Sequence, residues 1–209
     1  MISAVSRQTI SRLPVYLGYL RSLEGSMLTI SATAIAEALS LNDVQVRKDL
    51  AAVSSSGKPK IGYVTADLIS ELENFLGYNS PSDALLAGAG KLGRALMSYQ
   101  GFNAYGLNIV AAFDTDPNLI NTQEAGKSIL PLSQMKQFCE ERRVRIGIIT
   151  VPAACAQEVC EMMLESGILA IWNFAPVRLN VPDTILVQNE NMASSLALLR
   201  SHLGERARL

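Results

Sequence analysis

Residues 84–93 (ALLAGAGKLG) set Gly88, Gly90 and Gly93 in a G-x-G-x-x-G spacing, with Ala89, Lys91 and Leu92 between them. Phosphate binding is the chemistry this spacing suits. Gly88 permits a tight turn, Gly90 lets backbone approach a pyrophosphate, and Gly93 lets a helix pack closely on a sheet. A helix starting at the turn points free N–H groups and a positive dipole at the phosphates. Glycine-rich turns also join strands to helices with no ligand, so the motif alone is weak. The next apolar run, 109–113 (IVAAF), ends at Asp114. That is about 20 residues beyond the glycines, where an acid holds a ribose 2′-OH. A carboxylate there repels a 2′-phosphate, so the two features together point to NAD(H) rather than NADP(H).

Hydride transfer needs a group to manage the accompanying proton. No tyrosine here has a lysine four residues on, and the single histidine, His202, lies in the tail. No Cys/His cluster has metal-ligand spacing. The expectation is dinucleotide binding without catalysis. Two alternatives stay open: a small NAD-dependent oxidoreductase whose N-terminal domain serves assembly, and a CoA-binding domain, which uses a similar sheet. Asp114 argues against the second.

The 209 residues leave room for two modest domains or one large one, and 49% hydrophobic content supports a packed core. A net charge of −1 means that any basic surface is local. Cys139, Cys155 and Cys160 have no C-x-x-C spacing and read as reduced thiols, which with the lack of a signal peptide or membrane-length apolar run predicts a cytoplasmic protein.

The elements that would position a partner-binding surface lie in the first 80 residues. Residues 9–24 predict a helix capped by Thr9, with Leu13, Leu17, Leu20 and Leu23 on its core face. Ser31 caps a second helix, 32–39, and Asn42 a third, 43–53. Two short capped helices joined by a tight turn form a helix-turn-helix pattern. On the third helix Val46, Leu50 and Val53 face inward, while Gln45, Arg47 and Lys48 stand where side chains reach base edges or phosphates. A polar loop carrying Lys58 and Lys60 then precedes a short strand, 61–64, as in the wing of a winged helix. Up to residue 63 basic residues outnumber acidic ones 7 to 4, and residues 64–80 carry only acids, which concentrates positive charge on this helix and loop. The competing reading is an ordinary solvated basic face. Thr65 is expected to cap a helix over 66–76 that Gly77 stops, and residues 78–83 form the domain boundary.

From residue 84 onward strands and helices alternate. Strands are expected at 129–130, 146–151, 168–172 and 184–188, helices at 133–142 and 154–166, and a polar loop at 116–127. This predicts a doubly wound parallel sheet of the Rossmann type. Ligands in such sheets sit past the carboxyl ends of the strands, which puts Thr150, Val151, Pro152 and the loop Asn173, Phe174, Ala175, Pro176 beside the dinucleotide. Tyr99 reads as a core aromatic or as a nicotinamide contact, the sequence favouring the core. A helix over 191–202 has an apolar stripe and nothing after it to cover it.

The stretches 9–19 (TISRLPVYLGY), 46–50 (VRKDL), 61–63 (IGY), 88–95 (GAGKLGRA), 109–116 (IVAAFDTD), 150–153 (TVPA) and 173–182 (NFAPVRLNVP) occur in this order. Through them the chain resembles, over nearly its full length, the Rex family of redox-sensing transcriptional repressors. The resemblance implies a homodimer with a winged-helix DNA-binding domain (1–80), a Rossmann NAD(H)-binding domain (81–190) and an exchanged C-terminal dimerisation helix (191–209). It implies that operator DNA is held when NAD+ predominates and released when NADH binds. It assigns Gly88, Ala89, Gly90, Lys91, Leu92 and Gly93 to the pyrophosphate and Asp114 to the adenosine ribose. Tyr99, Val151, Pro152, Asn173, Phe174, Ala175 and Pro176 would frame the nicotinamide. Ser31, Gln45, Arg47, Lys48, Lys58 and Lys60 would meet double-stranded operator DNA. Two departures stand out. Many members have a glycine- and phenylalanine-rich wing where this chain has 53–63 (VSSSGKPKIGY), and Asn191 replaces an aspartate that switches partners between states.

Overall fold

The computed structural model describes residues 5–59 and 61–206; Lys60 and the side chains of His202 and 204–206 lie outside the described residues. The chain separates into two compact units, Met1–Ser80 and Pro81–Leu209.

In the first unit, helix α1 (Arg7–Ser22) begins two residues earlier than expected. Its cap is Ser6, whose hydroxyl accepts the Thr9 N–H, and not Thr9 itself. The helix runs through Pro14. Leu13, Leu17 and Leu20 are fully buried and Leu23 partly so. Strand β1 (Thr29–Ile30) leads to α2 (Ala32–Ala38) and α3 (Asp43–Val53), capped by the Ser31 and Asn42 side chains as their types dictate. Strand β2 (Tyr63–Val64) pairs antiparallel with β1, shorter than the expected 61–64. Helix α4 (Thr65–Leu76) lacks a side-chain cap: the Thr65 hydroxyl is buried with no hydrogen-bond partner. It does end at Gly77 in the left-handed conformation. Leu13, Tyr16, Leu17, Ile35, Val46, Leu50, Leu68 and Leu72 form one core.

The second unit is a seven-stranded sheet. In chain order it contains β3 (Ser82–Ala87), α5 (Lys91–Ser98), β4 (Leu107–Asp114), β5 (Thr122–Glu124), β6 (Lys127–Pro131), α6 (Met135–Arg142), β7 (Ile146–Ile149), α7 (Ala153–Glu165), β8 (Ala170–Asn173), β9 (Leu186–Asn189) and α8 (Met192–Arg206). The spatial order is β5-β6-β4-β3-β7-β8-β9, parallel throughout except β5–β6. Strand β5 falls in the segment expected to be a polar loop. The Ala125–Gly126 turn, with both residues at positive φ, folds it back on β6 as an edge hairpin. Alternate residues of β3 serve opposite faces. Leu85 and Ala87 pack with Met135, Ala156 and Cys160 from α6 and α7, while Ala84 and Leu86 pack with Met97 from α5. Ser133 lies in a single 3₁₀ turn before α6 and caps nothing there. Along α8 every described side chain is exposed, including Met192, Leu196, Leu199 and Leu203. No described helix is long and apolar enough to cross a membrane.

Candidate functional site

The glycine turn joins β3 to α5 at the carboxyl edge of the sheet, where the strand order departs to either side of β3. Its three glycines answer to different constraints. Gly88 has φ +97°, and a Cβ on it would press into the Thr150–Val151 backbone. A Cβ on Gly93 would collide with the Gly88 carbonyl oxygen. A Cβ on Gly90 would meet no protein atom. Gly90 instead lines a cavity of about 620 Å³ shared with Gly88, Asp114, Thr150, Val151 and Pro152. Protein packing therefore requires Gly88 and Gly93, while the open space at Gly90 suits a ligand brought against the backbone. Gly90 also stands at the N-terminus of α5, where N–H groups lack intrahelical partners.

Asp114, at the end of β4, accepts the Ala89 N–H on Oδ2 at 2.6 Å. Its Oδ1 accepts the N–H groups of Thr115 (2.7 Å) and Asp116 (2.9 Å). A carboxylate has about four lone-pair sites, so Oδ2 keeps room for a ribose hydroxyl. The Thr150 hydroxyl donates toward the Gly88 carbonyl at 2.7 Å, tying the end of β7 to the turn. The sequence reading missed the apolar walls Leu119 and Leu132, and also Cys155 and Glu158 on the first turns of α7. Nothing short of the sheet order brings those four residues to this edge.

The expected nicotinamide contacts divide. Val151 and Pro152 line the cavity, whereas Tyr99 and the 173–176 loop do not. Tyr99 is not a core residue: it is 55% exposed. Its ring meets Phe102 edge-on, Phe102 meets Trp172, and Trp172 meets Phe174, with centroids 4.9, 5.6 and 4.8 Å apart. Asn173 is fully buried. Its amide donates to the carbonyl oxygen of Val177 and to Asn189 Oδ1, and its own oxygen accepts the Ala175 N–H. It shapes the loop from within. Ala175 is buried beside it, and Pro176 is exposed.

In the first unit, α3 presents Val44, Gln45, Arg47, Lys48, Ala51 and Ala52 outward. The Arg47 guanidinium pairs with Asp43 at 3.1 Å between two exposed groups, a contact weak enough for a phosphate to displace. Lys48 takes part in none of the ion pairs among the described residues. Ser31 accepts the Ala34 N–H and keeps its own O–H as a donor. Lys58 closes an antiparallel bridge with Gly62, whose φ of +86° and crowding against the Ile30 carbonyl demand glycine.

The inward face of α3 holds what the sequence reading overlooked. Asp49 is 2% exposed and is buried on α3 along with Val46 and Leu50. Arg12 grips it bidentately, Nε to Oδ2 at 2.7 Å and Nη2 to Oδ1 at 2.9 Å. The Tyr16 hydroxyl (2.8 Å), the Thr9 hydroxyl (3.0 Å) and Gln45 Nε2 (3.0 Å) also donate to it. Burial pushes the carboxyl upward, but the Arg12, Tyr16, Thr9 and Gln45 hydrogen bonds outweigh it and hold it at about 2. Burial, with Asp49 beside it, pushes the Tyr16 phenol up to about 12. An acid three residues after Val46 and one before Leu50, on an apolar face, was the available signal.

Comparison with known proteins finds a family match in each of the two units. Residues 4–51 match the family described as "Putative DNA-binding protein N-terminus", and residues 79–177 match the CoA binding domain family. The redox-sensing transcriptional repressor Rex of Treponema denticola is 42% identical over 192 residues, 91% of each chain. That of Pelotomaculum thermopropionicum is 42% identical over 200 residues, 95% of this chain and 94% of its own. Among solved structures, RSP in complex with beta-NAD+ and operator DNA superposes with a TM-score of 0.92 at 30% identity. That match covers 98% of this chain and 95% of RSP. RSP with beta-NADH gives 0.89. With two-unit architecture, parallel sheet and sequence in agreement over more than nine-tenths of its length, the chain belongs to the Rex family of redox-sensing transcriptional repressors.

Proposed function

We propose that this protein is a cytoplasmic repressor that binds double-stranded operator DNA as a homodimer, with NAD+ permitting binding and NADH releasing it, and that it catalyses no reaction. The observation that carries the reading is the cavity at the ends of β3, β4 and β7, where an acid clamps the glycine turn and open space faces Gly90. Likeness to RSP, solved with either dinucleotide and with operator DNA, supports it.

In this reading the backbone of Gly88, Ala89, Gly90, Lys91, Leu92 and Gly93 holds the pyrophosphate, and Asp114 Oδ2 takes the adenosine ribose. Val151 and Pro152 wall the nicotinamide, and Asn173 contributes by holding the shape of its own loop, outside the cavity. A ligand shifts an equilibrium only by its difference in affinity for the two states. The neutral, puckered reduced ring and the flat, cationic oxidised ring differ enough to do so against apolar walls. Ser31, Gln45, Arg47, Lys48, Lys58 and Lys60 contact DNA. The exposed apolar stripe of α8 packs on a second copy, within a chain organised as 1–80, 81–190 and 191–209. Two half-sites a whole number of helical turns apart match only one separation of two recognition helices. A dimer altered by NADH then leaves its operator.

The deciding experiment is a mobility-shift titration on an operator selected from random DNA. NADH should weaken the complex and NAD+ should not; equal effects of the two would end the redox-sensing reading. Turnover of NADH against a small carbonyl substrate would end the non-enzymatic one.

A further inference from the structure

An amide that reads adenine in the major groove must offer its oxygen to N6–H and one N–H to N7 at once. A free glutamine does this at the cost of fixing a flexible side chain and choosing one of two amide orientations. Gln45 already has its orientation set. Its Nε2 donates to Asp49 Oδ1 at 3.0 Å, and only the nitrogen end of an amide can face a carboxylate that way. That leaves Oε1 and the second N–H of the same planar group, on a residue that is exposed on the outer face of α3. Asp49 cannot itself move to follow Gln45, because Arg12 holds both its oxygens and Tyr16 and Thr9 complete its shell. The anchor thus reaches from α1, through a buried carboxylate, to one amide on α3.

We propose that Gln45 reads an adenine in each operator half-site and that Asp49, braced by Arg12, is a positioning residue that fixes the reading amide before DNA arrives. The inference rests on the DNA-binding reading above. Asp49 touches no DNA; it acts through Gln45.

The test uses the full-length protein and an operator selected by the wild type, with each base pair of the half-site replaced in turn. Wild type should discriminate about tenfold or more for A at one position in each half-site. Gln45→Ala, an exposed substitution, should flatten that position to within about twofold and leave the others intact. Gln45→Glu keeps only acceptors and should turn the preference there toward C, whose N4 group donates. Asp49→Asn should blunt the same position. It should also raise the mobility of the Gln45 side-chain amide in nuclear magnetic resonance relaxation of the free protein, a readout that simple loss of stability does not produce. If that variant does not fold, Arg12→Lys, which removes the bidentate grip, takes its place with the same expectations. Wild-type binding to a selected operator with no position sensitive to Gln45→Ala overturns the inference and leaves the repressor reading standing. Preference and amide mobility unchanged in Asp49→Asn overturns the positioning role. Failure of the wild type to select any operator overturns both.

Discussion

The Asp114 carboxylate and the Ala89 N–H meet at 2.6 Å, so the acid at the end of one strand is bonded to the glycine turn at the end of its neighbour. Removing the acid therefore loosens the turn and, on the proposed reading, also deletes the ribose partner. Asp114→Ala should weaken NADH and NAD+ together by about tenfold or more, since charged hydrogen bonds contribute about 1.5–3 kcal/mol. The same change should narrow the preference for NADH over NADPH. Calorimetric titration of the three ligands measures both effects.

The glycines of the turn should separate by cause. Gly93→Ala forces a methyl against the Gly88 carbonyl and should destabilise the second unit by about 1–3 kcal/mol. Gly90→Ala meets no protein atom. It should leave the melting temperature nearly unchanged while weakening NADH binding. Thermal melts and calorimetry on the pair distinguish a folding glycine from a binding one.

Salt dependence tests the basic face of α3. Each phosphate contact adds about 0.9 to the slope of log affinity against log salt. Lys48→Ala should lower that slope by about 1, and Lys48→Glu should abolish operator binding at moderate salt. Fluorescence anisotropy across a salt series reads both.

Acid should weaken the first unit through Asp49. The folded carboxyl is held at about 2, below its ordinary value of 3.8. The stability this supplies is present above the unfolded value and disappears as pH falls through the folded one. The difference corresponds to about 2 kcal/mol, lost between about pH 5 and pH 2. Denaturant melts at stepped pH should show this fall in wild type and a flatter profile in Asp49→Asn.

The C-terminal helix predicts the oligomeric state. Leu196 and Leu199 are each about 60% exposed, on a helix with no buried residue among those described. Leu196→Lys with Leu199→Lys should shift the protein toward monomer in sedimentation. It should also weaken binding to a two-half-site operator far more than to a single half-site.

The glycine spacing, the acid after the next strand and the strand–helix alternation were legible because each is a local pattern with one periodicity and one turn chemistry. So were the Ser31 and Asn42 caps and the Gly77 stop. Thr9, Thr65 and Ser133 carry the same residue types in the wrong places. A cap depends on which residue is last in extended conformation, and packing of the following helix decides that. The β5 edge strand was hidden because a polar strand beside one neighbour needs no apolar alternation, and only Ala125–Gly126 hints at it.

The sequence alone determined the two-unit plan, the parallel sheet and the family, since periodicity, capping and motif order are properties of neighbours along the chain. Tertiary structure alone decided that Asp49 is a buried hub, that Tyr99 lies outside the core at the end of an aromatic row, and that Leu119, Leu132 and Glu158 share a cavity with Gly90. These are meetings of residues up to about 70 positions apart. Which of them meet is fixed by the order of strands and the register of helices, and no local pattern encodes that.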